Sequence, residues 1–152
     1  MFDLVPTETN QLDPFRGFTP LEIRAKIVEL EKAIMALPDS FDGKEFPLRH
    51  SFAEGIYVRE IFIPAGCIAT GSIHRHEHHG FLLSGEVLVI SETYGWDRIK
   101  APQMLITKAG TKRAVYAIAD TWWATVHYVG AERNIETILD ELTVTDYAQL
   151  EA

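Results

Sequence analysis

Four histidines fall within one six-residue window, from His74 to His79, in a chain that has six histidines in all. Imidazole is the commonest protein ligand for transition metals and is a neutral donor near pH 7. Residues two apart in a β-strand share a face, so His74, His76 and His78 can converge on one point. The window therefore predicts a metal site, with His74 and His76 as the main ligands and His78 as a further one. The competing interpretation is a solvated charged turn, because Arg75 and Glu77 alternate with the histidines.

His127 is the candidate for the remaining ligand. It lies on a late predicted strand, beside the apolar Val126, and a barrel brings such a strand across from the first one. Three or four imidazoles leave coordination positions open for water or substrate and suit Fe, Mn, Ni, Co or Zn. The alternative for a lone strand histidine is a hydrogen-bonded structural role, and this is the preferred interpretation for His50.

The available acid or base groups near the cluster are Glu77, Glu86 and Tyr116. The pattern does not fix which of them points inward. No serine or cysteine nucleophile is arranged to compete with metal chemistry. The single cysteine, Cys67, lies in an apolar strand, where a small buried hydrophobe is its expected role.

A β-rich body must position these histidines. Between residues 46 and 130 the apolar pattern has a period of two, and Gly, Pro and Asp punctuate it into seven or eight short strands. The stretch on either side of Gly85 is a strand, a turn and a second strand. Short strands at this spacing predict a sandwich or a barrel.

Three further segments flank this predicted body. Residues 1–18 are expected to form an extended arm that lies on its own domain or on a neighbouring subunit. Residues 19–38 are expected to form an amphipathic helix, because Thr19, Pro20 and Glu22 give a capping box with proline at the first helical position. Residues 131–152 are expected to be a C-terminal extension packed on the body, with a last helical turn near its end.

Composition limits the class of protein. The 152 residues suffice for one domain. The net charge of −8 argues against a nucleic-acid or membrane partner, since both are typically bound by clusters of Lys and Arg. One cysteine excludes an intrachain disulfide. Neither a signal peptide nor a spanning apolar segment is visible, which predicts a soluble protein of the cytoplasm.

The cluster and its surroundings resemble the cupin superfamily, whose fold is a small β-barrel of the double-stranded β-helix type. His74-Arg75-His76 resembles the paired histidines of the first cupin motif, and counting back from Gly85 places His78 at the position of that motif's glutamate. The stretch from Lys108 to Arg113 resembles the second motif, but Arg113 stands in place of its histidine. The resemblance implies a mainly β fold: a single cupin-type jelly-roll β-barrel at residues 46–130, with the helix packed outside.

More narrowly, two stretches of the sequence resemble small cupins encoded by tailed bacteriophages: residues 73–85 and residues 109–127. In that group a histidine near the end of the last strand recurs together with the first cluster, which favours His127 as a ligand. The resemblance implies the cytoplasm of a host cell, or a virion, as the location.

Two functions follow as expectations. The first is a metal-binding cupin, with a divalent transition metal at His74, His76, His78 and His127, that binds or transforms a small molecule. The second is a phage structural protein that uses the barrel as an assembly block, with a stabilising or vestigial metal site. A homo-oligomer, either a dimer or a larger assembly, and phage structural proteins are the expected partners.

Overall fold

The computed structural model describes residues 16–39, 46–92 and 95–150. The strands in these ranges are β1 (Leu48–Ala53), β2 (Gly55–Ile63), β3 (Ile68–Thr70), β4 (Ile73–His74), β5 (His78–Ser84), β6 (Glu86–Ser91), β7 (Gly95–Lys100), β8 (Gln103–Thr107), β9 (Arg113–Ala117), β10 (Thr121–Gly130) and β11 (Thr143–Val144). Two α-helices, α1 (Pro20–Met35) and α2 (Ile135–Leu142), and a 3₁₀ turn (Tyr147–Leu150) complete these elements. The prediction of a mainly β protein is confirmed.

The strands form three antiparallel sheets. The five-stranded sheet has the order β1-β2-β10-β5-β8, the four-stranded sheet has the order β3-β9-β6-β7, and β11 pairs with β4. The two larger sheets share one apolar core. The five-stranded sheet contributes Ile63, Leu82, Leu105 and Trp123, and the four-stranded sheet contributes Val87, Val89, Ile99, Val115 and Ala117. They therefore pack face to face, as inward and outward side chains alternate along each strand.

Helix α1 lies outside the four-stranded sheet. Its capping box is present, since Thr19 Oγ1 accepts from the Glu22 backbone N–H and the Glu22 side chain accepts from the Thr19 backbone. Ile23 and Ile27 pack on Ala114 of β9. The prediction of an amphipathic helix packed outside the sheets is confirmed. Within residues 16–39, 46–92 and 95–150, neither α-helix has the length and apolar character needed to cross a membrane.

The expectation of a single helix needs correction, because the C-terminal extension contains α2. Asn134 caps α2 by accepting from the Thr137 backbone N–H. The fully buried Ile138 and the buried Leu142 pack against Tyr57 of β2. The last helical turn predicted near the C-terminus is confirmed as the 3₁₀ turn. Most of the N-terminal arm, residues 1–15, lies outside the described residues, and the four domain boundaries and the closed barrel stay predictions.

Candidate metal centre

Three histidines from three strands meet at one end of the space between the sheets. His74 ends β4, His78 begins β5 and His127 lies within β10. Each offers a ring nitrogen, and these nitrogens all lie within 4.8 Å of one another. The ring centroids are 4.3 Å apart for His74 and His78, 4.7 Å for His78 and His127, and 5.4 Å for His74 and His127. The group is thus tight enough for one ion to contact all three rings.

His76 does not belong to this group. His74 and His76 would share a face only on one continuous strand, but β4 ends at His74 and β5 starts only at His78. Arg75 and His76 form a bend between the two strands, and the His76 side chain is exposed. The structure therefore gives no support to His76 as a ligand. His79 is also exposed, because it follows His78 on a strand and points to the opposite face.

Backbone contacts from distant parts of the chain hold His74 in place. Thr143 of β11 is its antiparallel partner, and the Arg75 backbone N–H donates to the Leu142 carbonyl at 2.8 Å. On the other side, the Gly110 backbone N–H donates to the His74 carbonyl at 2.8 Å. The C-terminal extension thereby positions one of the three imidazoles.

Hydrogen bonds also orient the other two rings. His78 Nδ1 lies 3.1 Å from the His76 carbonyl oxygen. A carbonyl only accepts, so Nδ1 carries the proton and the lone pair of His78 is on Nε2. His127 Nε2 lies 2.9 Å from Thr125 Oγ1, and its donor or acceptor role depends on the tautomer. Partners of this kind fix the orientation of ligating histidines in known metal sites.

Burial keeps the three imidazoles neutral. It lowers the pKa of His74 to about 3, with the charges of His78, His127, Arg113 and Arg59 acting in the same direction. Burial likewise lowers the pKa of His127 to about 4, helped by His78, Arg59 and His76. The pKa of His78 is lowered too, mainly by burial. A neutral imidazole is the form that binds a metal, so the donor set fits a divalent transition ion at neutral pH.

The sequence did not single out Arg59 as part of the site. Arg59 pairs with Thr125 across β2 and β10, next to the pair Tyr57 and His127 on the same face. The only signal was strand parity, because Arg59 lies two residues from Tyr57 and two from Ile61. Arg113, predicted to replace a motif histidine, donates from Nη2 to Thr107 Oγ1 at 3.0 Å. Two guanidinium groups therefore accompany three neutral imidazoles.

The other sequence candidates lie outside the three-histidine group. Glu77 is exposed, Tyr116 is 40% exposed, and Glu86 forms an ion pair with Arg98 at 2.7 Å. Cys67 packs against the core between the sheets, as expected of a small hydrophobe. His50 Nδ1 lies 2.7 Å from the hydroxyl of Tyr57, which matches the hydrogen-bonded structural role preferred for it.

Comparison with known proteins gives a match in structure only. No protein-family model and no curated protein matches the sequence. KdgF from Halomonas sp. is 14% identical with a TM-score of 0.50, over 65% of this chain and 87% of that chain. A cupin superfamily protein from Desulfitobacterium hafniense is 8% identical with a TM-score of 0.48, over 59% and 83% of the two chains. An RmlC-like cupin with a double-stranded β-helix fold from Methanocaldococcus jannaschii is 15% identical with a TM-score of 0.46, over 57% and 83%.

Of these solved structures, KdgF reaches a TM-score of 0.50, and its likeness to this chain is one of fold. At such low identities the likeness concerns the fold and not the activity.

Proposed function

We propose that this protein is a metal-binding cupin that holds one divalent transition metal and binds or transforms a small molecule at it. The observation that carries the proposal is the convergence of ring nitrogens from His74, His78 and His127 within 4.8 Å. Three imidazole donors suit Fe, Mn, Ni, Co or Zn and leave coordination positions open. When bound, the ion would supply Lewis-acid polarisation of a carbonyl or hydroxyl oxygen.

The chain's own residues prepare this site in the absence of the ion. The hydrogen bond to the His76 carbonyl leaves His78 Nε2 deprotonated, and contact with Thr125 restrains the His127 ring. Pairing with Thr143 holds the His74 backbone. Burial keeps all three rings in the neutral form. Because the ligands are already oriented, binding should cost little reorganisation of the protein.

Elemental analysis of protein purified without any affinity tag tests the proposal. We expect about one transition-metal ion per chain after dialysis, and at least a tenfold loss of bound metal in His78→Ala and in His127→Ala. His76→Ala and His79→Ala are matched controls, since both side chains are exposed and outside the group. A protein without stoichiometric metal, or equal loss in the controls, would contradict the proposed site.

A second candidate function is that of an assembly block, in which the barrel packs against further copies of itself or against phage structural proteins. The outer face of the five-stranded sheet favours it, because large apolar side chains there are exposed: Leu83 is 48%, Ile106 37% and Tyr128 79% exposed. Exposed apolar side chains that cluster on one face are typical of protein interaction sites.

Mass in solution tests this second candidate. We expect the wild-type protein to be a dimer or larger, and Leu83→Glu with Ile106→Glu to be smaller. Ile68→Glu is the control, since Ile68 is 43% exposed on the four-stranded sheet. Deletion of residues 1–18 tests whether the N-terminal arm contributes to the oligomer, in which case the mass in solution should fall. A monomeric wild-type protein would exclude self-assembly through either surface.

A further inference from the structure

The end of the core that holds the histidines also holds a half-buried arginine, Arg59, from the five-stranded sheet. Cross-strand partners point to one face of a sheet, and Arg59 is opposite Thr125, between the pairs Tyr57–His127 and Ile61–Trp123. Trp123 belongs to the core between the two sheets, and Ile61 packs against it. Arg59 therefore points into the interior, on the same side as His127.

A second arginine reaches this region from the opposite sheet. Arg113 begins β9, in which Val115 and Ala117 contribute to the core, so alternation directs Arg113 inward as well. Its guanidinium donates to the hydroxyl of Thr107, and Thr107 is the cross-strand partner of His78. Both sheets thus contribute a guanidinium to the space beside the three imidazoles.

The charge of Arg59 has no counterpart in the described parts of the chain. Its Nε atom is buried without a hydrogen-bond partner, and none of the ion pairs found within residues 16–39, 46–92 and 95–150 involves it. A histidine side chain is either neutral or cationic, so the three histidines cannot offset the charge. A cation that is partly removed from water without an anion beside it is costly, and a bound divalent ion would add further positive charge.

We propose that the region beside the three imidazoles binds the carboxylate of a small organic acid, with Arg59 as the main binding residue and Arg113 adding positive charge nearby. The proposal deepens the proposed function by naming the class of ligand, and the arginine contact itself does not require the metal. A guanidinium presents paired N–H donors that match the two oxygens of a carboxylate. The three histidines and Arg59 all lie on strands, whereas phosphate is typically bound at the N-terminus of a helix.

The probes are acetate and acetamide, which have nearly the same shape but differ in charge. They distinguish binding that depends on negative charge from binding that depends on shape alone. We expect acetate to raise the unfolding midpoint of the full chain in saturable fashion at constant ionic strength, both after chelation and after metal loading, and acetamide to leave it unchanged. In Arg59→Met the apparent dissociation constant for acetate should rise at least tenfold. Arg49→Met is the matched control, because Arg49 is exposed and stacks on Trp122 at 3.7 Å.

The outcomes separate this proposal from the metal proposal. Metal content is measured on the same samples. If the protein contains no metal but still binds acetate through Arg59, the metal site is refuted and the carboxylate site is supported. If Arg59→Met does not fold, Arg59→Lys keeps the charge but loses the paired donors, and weaker acetate binding is expected. Equal responses to acetate and acetamide in the wild type, unchanged affinity in the Arg59 variant, or tighter binding of inorganic phosphate than of acetate would overturn the carboxylate assignment.

Discussion

The imidazole rings of His74 and His127 lie almost parallel, with centroids 5.4 Å apart and an angle of 5° between their planes, although they come from strands of different sheets. His78 lies at an angle to both rings. A metal would therefore link β4 and β5, which are close in the chain, to the distant β10. Because binding requires the folded arrangement, metal affinity and stability should depend on each other.

We predict that added Zn²⁺ or Co²⁺ raises the unfolding midpoint of the chelator-treated protein. At a metal concentration 100 times the dissociation constant, the stabilisation should be about 2.7 kcal/mol. His127→Ala should abolish this increase, and His76→Ala should retain it. Thermal unfolding followed by circular dichroism, with and without metal, measures the effect. Equal metal-induced increases in both variants would contradict a site that includes His127.

We also predict that the C-terminal extension controls metal affinity through His74. Ile138 is fully buried in the cluster that joins α2 to Tyr57, so Ile138→Ala should cost about 2–5 kcal/mol of stability. Loosening of α2 should also disturb β11, which pairs with His74, and therefore weaken metal binding. Val87→Ala, in the core between the sheets, is the control. Competition with a chromophoric chelator should show weaker metal binding in Ile138→Ala than in Val87→Ala, and equal affinities would refute the role of the extension.

Local signals in the sequence were sufficient for most of the fold. The Thr19 capping box defined α1, and the period of two with glycine turns defined the strands around Gly85. Helix α2 was missed because its eight residues give only a short apolar pattern, and its stability depends on burying Ile138 against Tyr57. Such tertiary contacts override weak local preference.

The candidate site was predictable in composition but not in geometry. Of the four predicted ligands, the structure brings together His74, His78 and His127, and it leaves His76 exposed. Strand parity failed for His76 because the bend after His74 has no clear marker in the sequence. Arg59 was not recognised because its inward direction depends on the register between β2 and β10, which pattern alone does not give.

We predict that the metal-free protein loses stability as the pH falls from about 6.5 towards 4. The folded-state pKa values of His74 and His127 are about 3 and about 4, mainly because both rings are buried, whereas histidines of the unfolded chain titrate near 6.5. In this window the unfolded chain binds protons that the folded protein does not, so the free energy of unfolding decreases as acid is added.

For each such histidine, the free energy of unfolding should fall by up to about 1.4 kcal/mol per pH unit as acid is added. Urea unfolding of chelator-treated protein at several pH values measures it. His127→Gln should flatten the dependence, and His79→Gln, which changes an exposed ring, should leave it unaltered. Identical slopes for the wild type and His127→Gln would show that His127 is not held neutral by burial.

The turn at Gly85 provides a test of the fold that is independent of the metal. Gly85 has φ of +92°, and a Cβ there would overlap the Asp120 carbonyl oxygen and the Thr121 hydroxyl and lie 2.8 Å from Thr121 Cα. Gly66 has a similar φ of +84°, but a Cβ there would meet nothing within 4 Å. Gly66→Ala should therefore cost only the left-handed strain, about 1–2 kcal/mol.

Gly85→Ala should add to that strain the cost of overpacking, about 1–3 kcal/mol, because the neighbouring atoms include backbone that cannot rotate away. Urea unfolding of both variants gives the difference directly. Since the turn joins β5, which begins at His78, to β6, the larger loss at Gly85 would confirm that close packing against Asp120 and Thr121 fixes this connection. Equal losses in the two variants would mean that conformational strain alone explains the preference for glycine at this turn.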